Sequence, residues 1–220
     1  MKKVCHMTSA HPSSDIRIFN KECVTLSRAG YKVFLAAHGE EYTEQGVSVQ
    51  SVGQAYSSRM KRMLFASRNI YRKALEIDAD IYHFHDPELL PYALKLKKKG
   101  KYVVYDSHED VPRQILAKTW IPKPIRKLVS KCYERYEKHA ARQFDYVITA
   151  TDHIKEIFEK YGCRAESVKN YPLLDDIQCN NDNYLSRPPI LCYAGGITEQ
   201  RGITNILRAI EDLNVKLDMA

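Results

Sequence analysis

The stretch DIYHFHDPELLPYALKLKKKGKYVVYDSHED, residues 80–110, settles the fold class. Asp80–His85 is a short run rich in aromatic and β-favouring residues, which predicts a strand. Asp86-Pro87 is a helix start with proline at the first helical position, and Pro87–Lys99 carries helical spacing until Gly100 stops it. Tyr102–Asp106 is a second strand. A strand, a helix and a strand in this order imply parallel pairing, because a parallel neighbour requires a long crossover.

The same alternation extends in both directions. Upstream, Lys3–Thr8, Lys32–Ala37 and Val47–Val52 read as strands. Helices are expected over 16–29, where Ile16, Phe19, Cys23 and Leu26 share one stripe, and over 59–77. Downstream come a helix over 123–142, a strand at Tyr146–Thr149, a helix at Asp152–Tyr161 and a strand at Ala165–Lys169. The fold class is therefore α/β, a Rossmann-like, doubly wound parallel sheet over residues 1–170. Residues 171–189, rich in Asp, Asn and Pro, read as a linker. Residues 190–220 hold a strand, a Gly-Gly turn, a helix and a strand, the opening of a second Rossmann-like domain expected to be truncated, since some thirty residues cannot bury both faces of a sheet.

Composition narrows the function classes. The 220 residues are 44% hydrophobic and 28% charged, which excludes a disordered chain, and the net charge of +7 points to anionic partners. The six cysteines form no C-x-x-C pair, which argues against a zinc ribbon or a thioredoxin-like motif; they are expected to be reduced thiols packed as small hydrophobes. No apolar segment of signal-peptide or membrane-span length is seen, so a cytoplasmic location is expected.

In parallel sheets, ligands gather beyond the carboxyl ends of strands. Polar clusters fall at those ends: Ser9 through Asp15, His83 through Glu88, Asp106 through Asp110, Asn170 with Tyr171, and Gly195-Gly196 through Arg201-Gly202. Each alone can be a helix cap. Together they place His11, His85 and His108 around one crevice.

The runs TSAHPSSDIRIFNKECVTLSRAGYKV, HFHDPELLPYAL, VVYDSHED, YVITATDHI, VKNYP and YAGGITEQRGI, in this order, resemble bacterial glycosyltransferase family 4, in particular members that build capsular, exopolysaccharide or lipopolysaccharide sugars. The resemblance implies a GT-B fold. Its first domain takes an acceptor, and its second takes a UDP- or GDP-linked sugar without metal or other cofactor. It implies transfer with retention, resting on positioning and on charge stabilisation at the leaving diphosphate.

By the same resemblance, His108 reaches the donor sugar as a neutral imidazole and Glu109 orients it. His11, Asp15, Arg17, His85, Asp86 and Glu88 face the acceptor. Ser13 and Ser14 approach the diphosphate where relatives carry a glycine pair. Gly195, Gly196 and Arg201 stand where relatives have Gly-Arg followed by Lys-Gly, so Arg201 replaces a lysine and Gly196 replaces a cation. The paired glutamates of the family are expected past Ala220, and this chain alone is expected to lack most of a donor site and to be inactive.

Two basic stretches remain. Arg59, Lys61, Arg62, Arg68, Arg72 and Lys73 crowd one helix, and Lys118 through Lys131 adds further cations beside Trp120 and Ile121. Such a surface suits anionic lipid at the inner face of a membrane and, equally, a solvated helix face. Nucleic acid is not expected, because no stacking aromatics are interleaved. Two rivals stand. One is a metal-dependent sugar deacetylase or hydrolase, suggested by His11-Pro12 and His83-x-His85 but lacking carboxylates at Ser13 and Ser14. The other is a non-catalytic acceptor-binding fragment.

Overall fold

A computed structural model describes residues 1–54, 65–118, 120–174, 188–211, 213 and 215–219. The chain forms two compact units, Met1–Tyr171 and Pro172–Ala220.

The first unit is built on an eight-stranded sheet. Its strands are β1 (Lys3–Pro12), β2 (Lys32–His38), β3 (Tyr42–Glu44), β4 (Val47–Ser51), β5 (Ile81–Phe84), β6 (Tyr102–Ser107), β7 (Tyr146–Thr149) and β8 (Ala165–Ser167). They lie in the order β3-β4-β2-β1-β5-β6-β7-β8, all parallel except the β3–β4 pair. The order reverses between β1 and β5, and the topological switch point of the sheet lies there. The intervening helices are a π-helical segment Ile16–Cys23 running into α1 (Val24–Arg28), then α2 (Ser67–Ile77), α3 (Leu90–Lys98), α4 (Val111–Ala117), α5 (Lys123–Ala141) and α6 (Asp152–Lys160).

Alternation along β1 and β5 sorts the two layers. Cys5, Met7, Tyr82 and Phe84 join one apolar core with Ile70, Leu90, Leu96, Tyr105 and Phe158. A second core joins Ile18, Phe19, Cys23 and Val24 to Val33, Leu35, Val47 and Val49. His6, His83 and His85 occupy the alternate positions of β1 and of the segment leaving β5, and His6 pairs with His83 in register.

Several details depart from the sequence reading. The helix expected over 16–29 begins as a π-helix capped by Asp15, whose carboxylate accepts from the N–H groups of Arg17 and Ile18 at 2.9 and 3.0 Å. The strand β3 was not foreseen. It is a three-residue edge joined to β4 by Gln45-Gly46, both at positive φ, the geometry of a tight hairpin turn. The helix α4 was also missed, although its cap, Asp110, and the proline after it are ordinary start signals. Cys132 and Cys192 are exposed rather than packed inside. Arg59, Lys61 and Arg62 of the basic stretch, and the linker from residue 175 to 187, lie outside the described residues.

In the second unit β9 (Ile190–Tyr193) and β10 (Lys216–Met219) pair in parallel, connected through α7 (Ile203–Ala209). Ile190, Leu191 and Leu207 remain 39–48% exposed, as expected of a sheet too small to cover its own faces. Among the described residues no helix is long and apolar enough to cross a membrane.

Candidate active site

The carboxyl ends of β1, β5 and β6 open onto a cavity of about 940 Å³. Its lining includes His11, Asp15, Arg17, His85, Asp86, Glu88, His108 and Glu109, so eight of the site residues expected from sequence do converge. Tyr105, Tyr133, Tyr136 and Trp120 add aromatic wall.

Asp86 organises the first loop. Its Oδ2 accepts from Thr8 Oγ1 at 2.8 Å, Ser9 N at 2.6 Å and Ala10 N at 3.2 Å, and Oδ1 stands 3.5 Å from His11 Nε2. A carboxylate receiving backbone and hydroxyl donors in this way fixes the conformation of the loop. His11 Nδ1 is 3.3 Å from Asp15, so the imidazole is held between two acids and edge-on to His108, with centroids 5.7 Å apart.

Asp106, at the end of β6, is fully buried. Arg17 grips both of its oxygens, at 3.2 and 3.1 Å, and also donates to the Val168 carbonyl at 2.9 Å. His85 Nδ1 and His108 Nδ1 each approach Asp106 at 3.3 Å. Burial favours the protonated acid, but these two imidazoles hold Asp106 well below the usual carboxylate range. For His108, burial works against the charged ring. The hydrogen bond and charge of Asp106 outweigh it and raise its pKa, so the neutral imidazole expected from sequence is shifted toward imidazolium.

The expected roles are redistributed by this geometry. Glu109 is exposed on the cavity rim, and the carboxylate that meets His108 is Asp106, two residues earlier. His85 and Asp86 belong to the cavity floor with only 2% exposure each, and Arg17 is spent on Asp106; these three shape the cavity and present little surface to it. Ser13 and Ser14 do not line the cavity: β1 runs on to Pro12, and the Ser13 carbonyl accepts from Tyr42 on β3. Asp106 stood in the sequence as the one acid closing the apolar run VVY, a signal that was available. His6, buried behind it, and the half-buried Glu22 carried none.

A second buried carboxyl supports the cavity wall. Glu137 on α5 accepts from Tyr105 Oη at 3.2 Å and Tyr133 Oη at 3.4 Å, and burial pushes its pKa up to about 7.

In the second unit, Gly195 and Gly196 form the turn after β9, and Tyr193 Oη donates to the Gly196 carbonyl at 3.0 Å. Arg201 folds over this turn. A Cβ on Gly195, whose φ is +144°, would come within 3.1 Å of the Arg201 guanidinium, so the glycine permits the approach.

No curated protein matches the chain in sequence. Solved structures share its fold. Sucrose-phosphate synthase from Thermosynechococcus elongatus superposes with a TM-score of 0.71 at 12% identity, over 100% of this chain and 62% of that one. An E. coli trehalose-6-phosphate structure bound with UDP-2-fluoro glucose gives 0.62 at 10% identity, over 99% and 64%. The lipopolysaccharide outer core galactosyltransferase WaaB gives 0.54 at 13%, over 99% and 59%. The chain thus spans about three fifths of the length of these structures, all of the GT-B kind. Residues 22–170 match the model of Glycosyltransferase Family 4. That match covers more than half of the chain, from the end of the π-helix to Asn170, three residues past β8, and the chain belongs to glycosyltransferase family 4.

Proposed function

We propose that the protein carrying this chain transfers a sugar from a UDP- or GDP-linked donor to a glycan or lipid-linked acceptor. The transfer proceeds with retention and without a metal or other cofactor at the reacting centre. The observation that carries this reading is His108, set on the cavity at the switch point and held by the buried Asp106. An imidazole biased toward its charged form can donate a hydrogen bond to a sugar hydroxyl or to oxygen that gains charge as the leaving diphosphate departs. His11 stands beside it on the acceptor side.

Arg201, over the Gly195-Gly196 turn, supplies a guanidinium suited to bidentate phosphate contact, and is the donor-side cation of the proposal. Cell-surface polysaccharide synthesis at the cytoplasmic face of a membrane fits a further feature. On α5, Ile125, Leu128 and Val129 are 46%, 63% and 37% exposed at helical spacing, beside Lys123, Lys127 and Lys131 and near Trp120 at 64%. An apolar stripe flanked by cations suits an anionic lipid surface, where a lipid-linked acceptor resides.

The test is a transfer assay on the natural protein with radiolabelled UDP- and GDP-sugars and a membrane lipid extract. Labelled lipid or glycan with the donor's anomeric configuration, formed equally with and without added Mg²⁺ or Mn²⁺, is expected. Release of acetate from N-acetylated sugars with no sugar transfer would favour the hydrolase instead.

A further inference from the structure

Behind the cavity floor, on the face of β1 and β5 covered by the π-helix, four residues converge: His6, Glu22, His83 and His85. Each offers one ligand atom, and those atoms all lie within 4.8 Å of one another. His6 Nδ1 is 3.0 Å from His85 Nε2. Glu22 Oε2 stands 3.9 Å from His6 Nδ1, 3.8 Å from His85 Nε2 and 4.0 Å from His83 Nε2. Zinc held by imidazole and carboxylate at about 2.0–2.1 Å spans tetrahedron edges of roughly 3.4 Å. The four separations, 3.0 to 4.0 Å, bracket that value, so the ion is accommodated by drawing the surrounding side chains inward.

The hydrogen bonds present leave this cluster incomplete. Glu22 Oε2 and His83 Nε2 are buried with no hydrogen-bond partner, and Glu22 Oε1 has the Arg17 guanidinium as an ion-pair neighbour. His6 and His85 can share one hydrogen between Nδ1 and Nε2, but that leaves Glu22 Oε2 and His83 Nε2 unsatisfied, which is costly in a protein interior. Two carboxyl groups, Glu22 and Asp106, are enclosed here beside the guanidinium of Arg17, which lies 3.1 Å from Glu22 Oε1 and 3.1 Å from Asp106 Oδ1. The outer shell also has the arrangement found around zinc ligands. The second nitrogen of His85 is 3.3 Å from the Asp106 carboxylate, which Arg17 holds in turn.

The geometry points to a closed, four-coordinate site for a divalent transition ion, zinc by preference, formed by His6 Nδ1, Glu22 Oε2, His83 Nε2 and His85 Nε2. It binds β1, β5 and the π-helix together beneath the cavity. All four positions are filled by protein, so the ion serves architecture and leaves no coordination site for substrate or water. The site is independent of the transfer reaction and stands whether or not that reading holds.

Loading the full chain with Zn²⁺, removing excess by gel filtration and counting metal per chain gives about one equivalent. Co²⁺ in its place gives the intense visible absorption of a four-coordinate ion. The thermal midpoint rises with Zn²⁺, and the rise disappears in Glu22→Gln and in His83→Phe. His108→Ala, which lies outside the four ligands, keeps both metal and rise. Circular dichroism of each variant separates lost binding from lost folding, and His83→Gln repeats the measurement if His83→Phe does not fold. A wild-type chain that retains less than a tenth of an equivalent and shows no cobalt bands overturns the site. So does loss of metal in His108→Ala with retention in Glu22→Gln, which places the ion on His85, Asp106 and His108 instead.

Discussion

Arg17 and Asp106 meet through two parallel contacts, Nε to Oδ2 at 3.2 Å and Nη2 to Oδ1 at 3.1 Å, across 89 residues of sequence. The pair ties the helix after β1 to the end of β6, on opposite sides of the switch point. Both residues are buried, so the pair's net contribution to stability is set by desolvation as much as by attraction. Deleting one partner is another matter, because the other charge is then left enclosed.

Arg17→Leu should therefore destabilise the first unit by about 3 kcal/mol, as broken buried pairs do. The thermal midpoint should fall by roughly 10 °C, the scale for a domain of this size. Double substitution with Asp106→Asn should recover part of the loss, since the orphaned carboxylate is removed. A midpoint unchanged in Arg17→Leu would show that the pair does not hold the two halves together.

Glu137 gives a pH dependence with a defined sign. Burial raises its folded pKa to about 7 from the ordinary 4.5, so between those values the folded chain holds a proton that the unfolded chain has lost. Stability from this group is thus full below about pH 4.5 and declines as pH rises to about 7, by about 3 kcal/mol at most. Glu137→Gln keeps an acceptor for Tyr105 and Tyr133 without the charge. Urea unfolding should find this variant more stable than the parent at pH 8 and equal to it near pH 4.

The parallel sheet was legible because its strands are short apolar runs between helices of ordinary length, with Gly100 and Gly162 at the stops. The edge strand β3 was not, since Tyr42–Glu44 is three residues long and largely polar, and its pairing depends on a turn at Gln45-Gly46. In the candidate site, His11 and His108 could be found because they stand at the carboxyl ends of strands, His11 at the end of β1 and His108 just past β6. Their supports could not. Whether His83 and His85 face the cavity or the interior depends on which face of β5 the π-helix covers, and Glu22 reaches them only through that packing. Asp106 and Arg17 are likewise paired by topology, at a separation that no local pattern records.

The exposed stripe of α5 predicts lipid binding. The chain should sediment with phosphatidylglycerol vesicles at low salt, less at high salt, and weakly with neutral phosphatidylcholine, because each cation near an anionic surface contributes about 1 kcal/mol. Leu128→Glu places a charge at a position already 63% exposed, so the fold should be unaffected while vesicle binding drops several-fold or more. Equal sedimentation of Leu128→Glu and parent would assign the stripe to another role.

His108 separates positioning from structure most cleanly. Its side chain is 18% exposed, and it meets the rest of the protein chiefly through Asp106 and the rings of His11 and His85. His108→Ala in the natural protein should unfold within a few degrees of the parent. If the imidazole acts on charge that develops during transfer, kcat should fall by about a hundredfold or more while KM for the acceptor changes little. His108→Gln should recover a small part of the rate, since an amide can donate a hydrogen bond but cannot carry the charge that Asp106 favours. A rise in acceptor KM at constant kcat would instead make His108 a binding residue, and Asp106 would then be a support for the acceptor pocket alone.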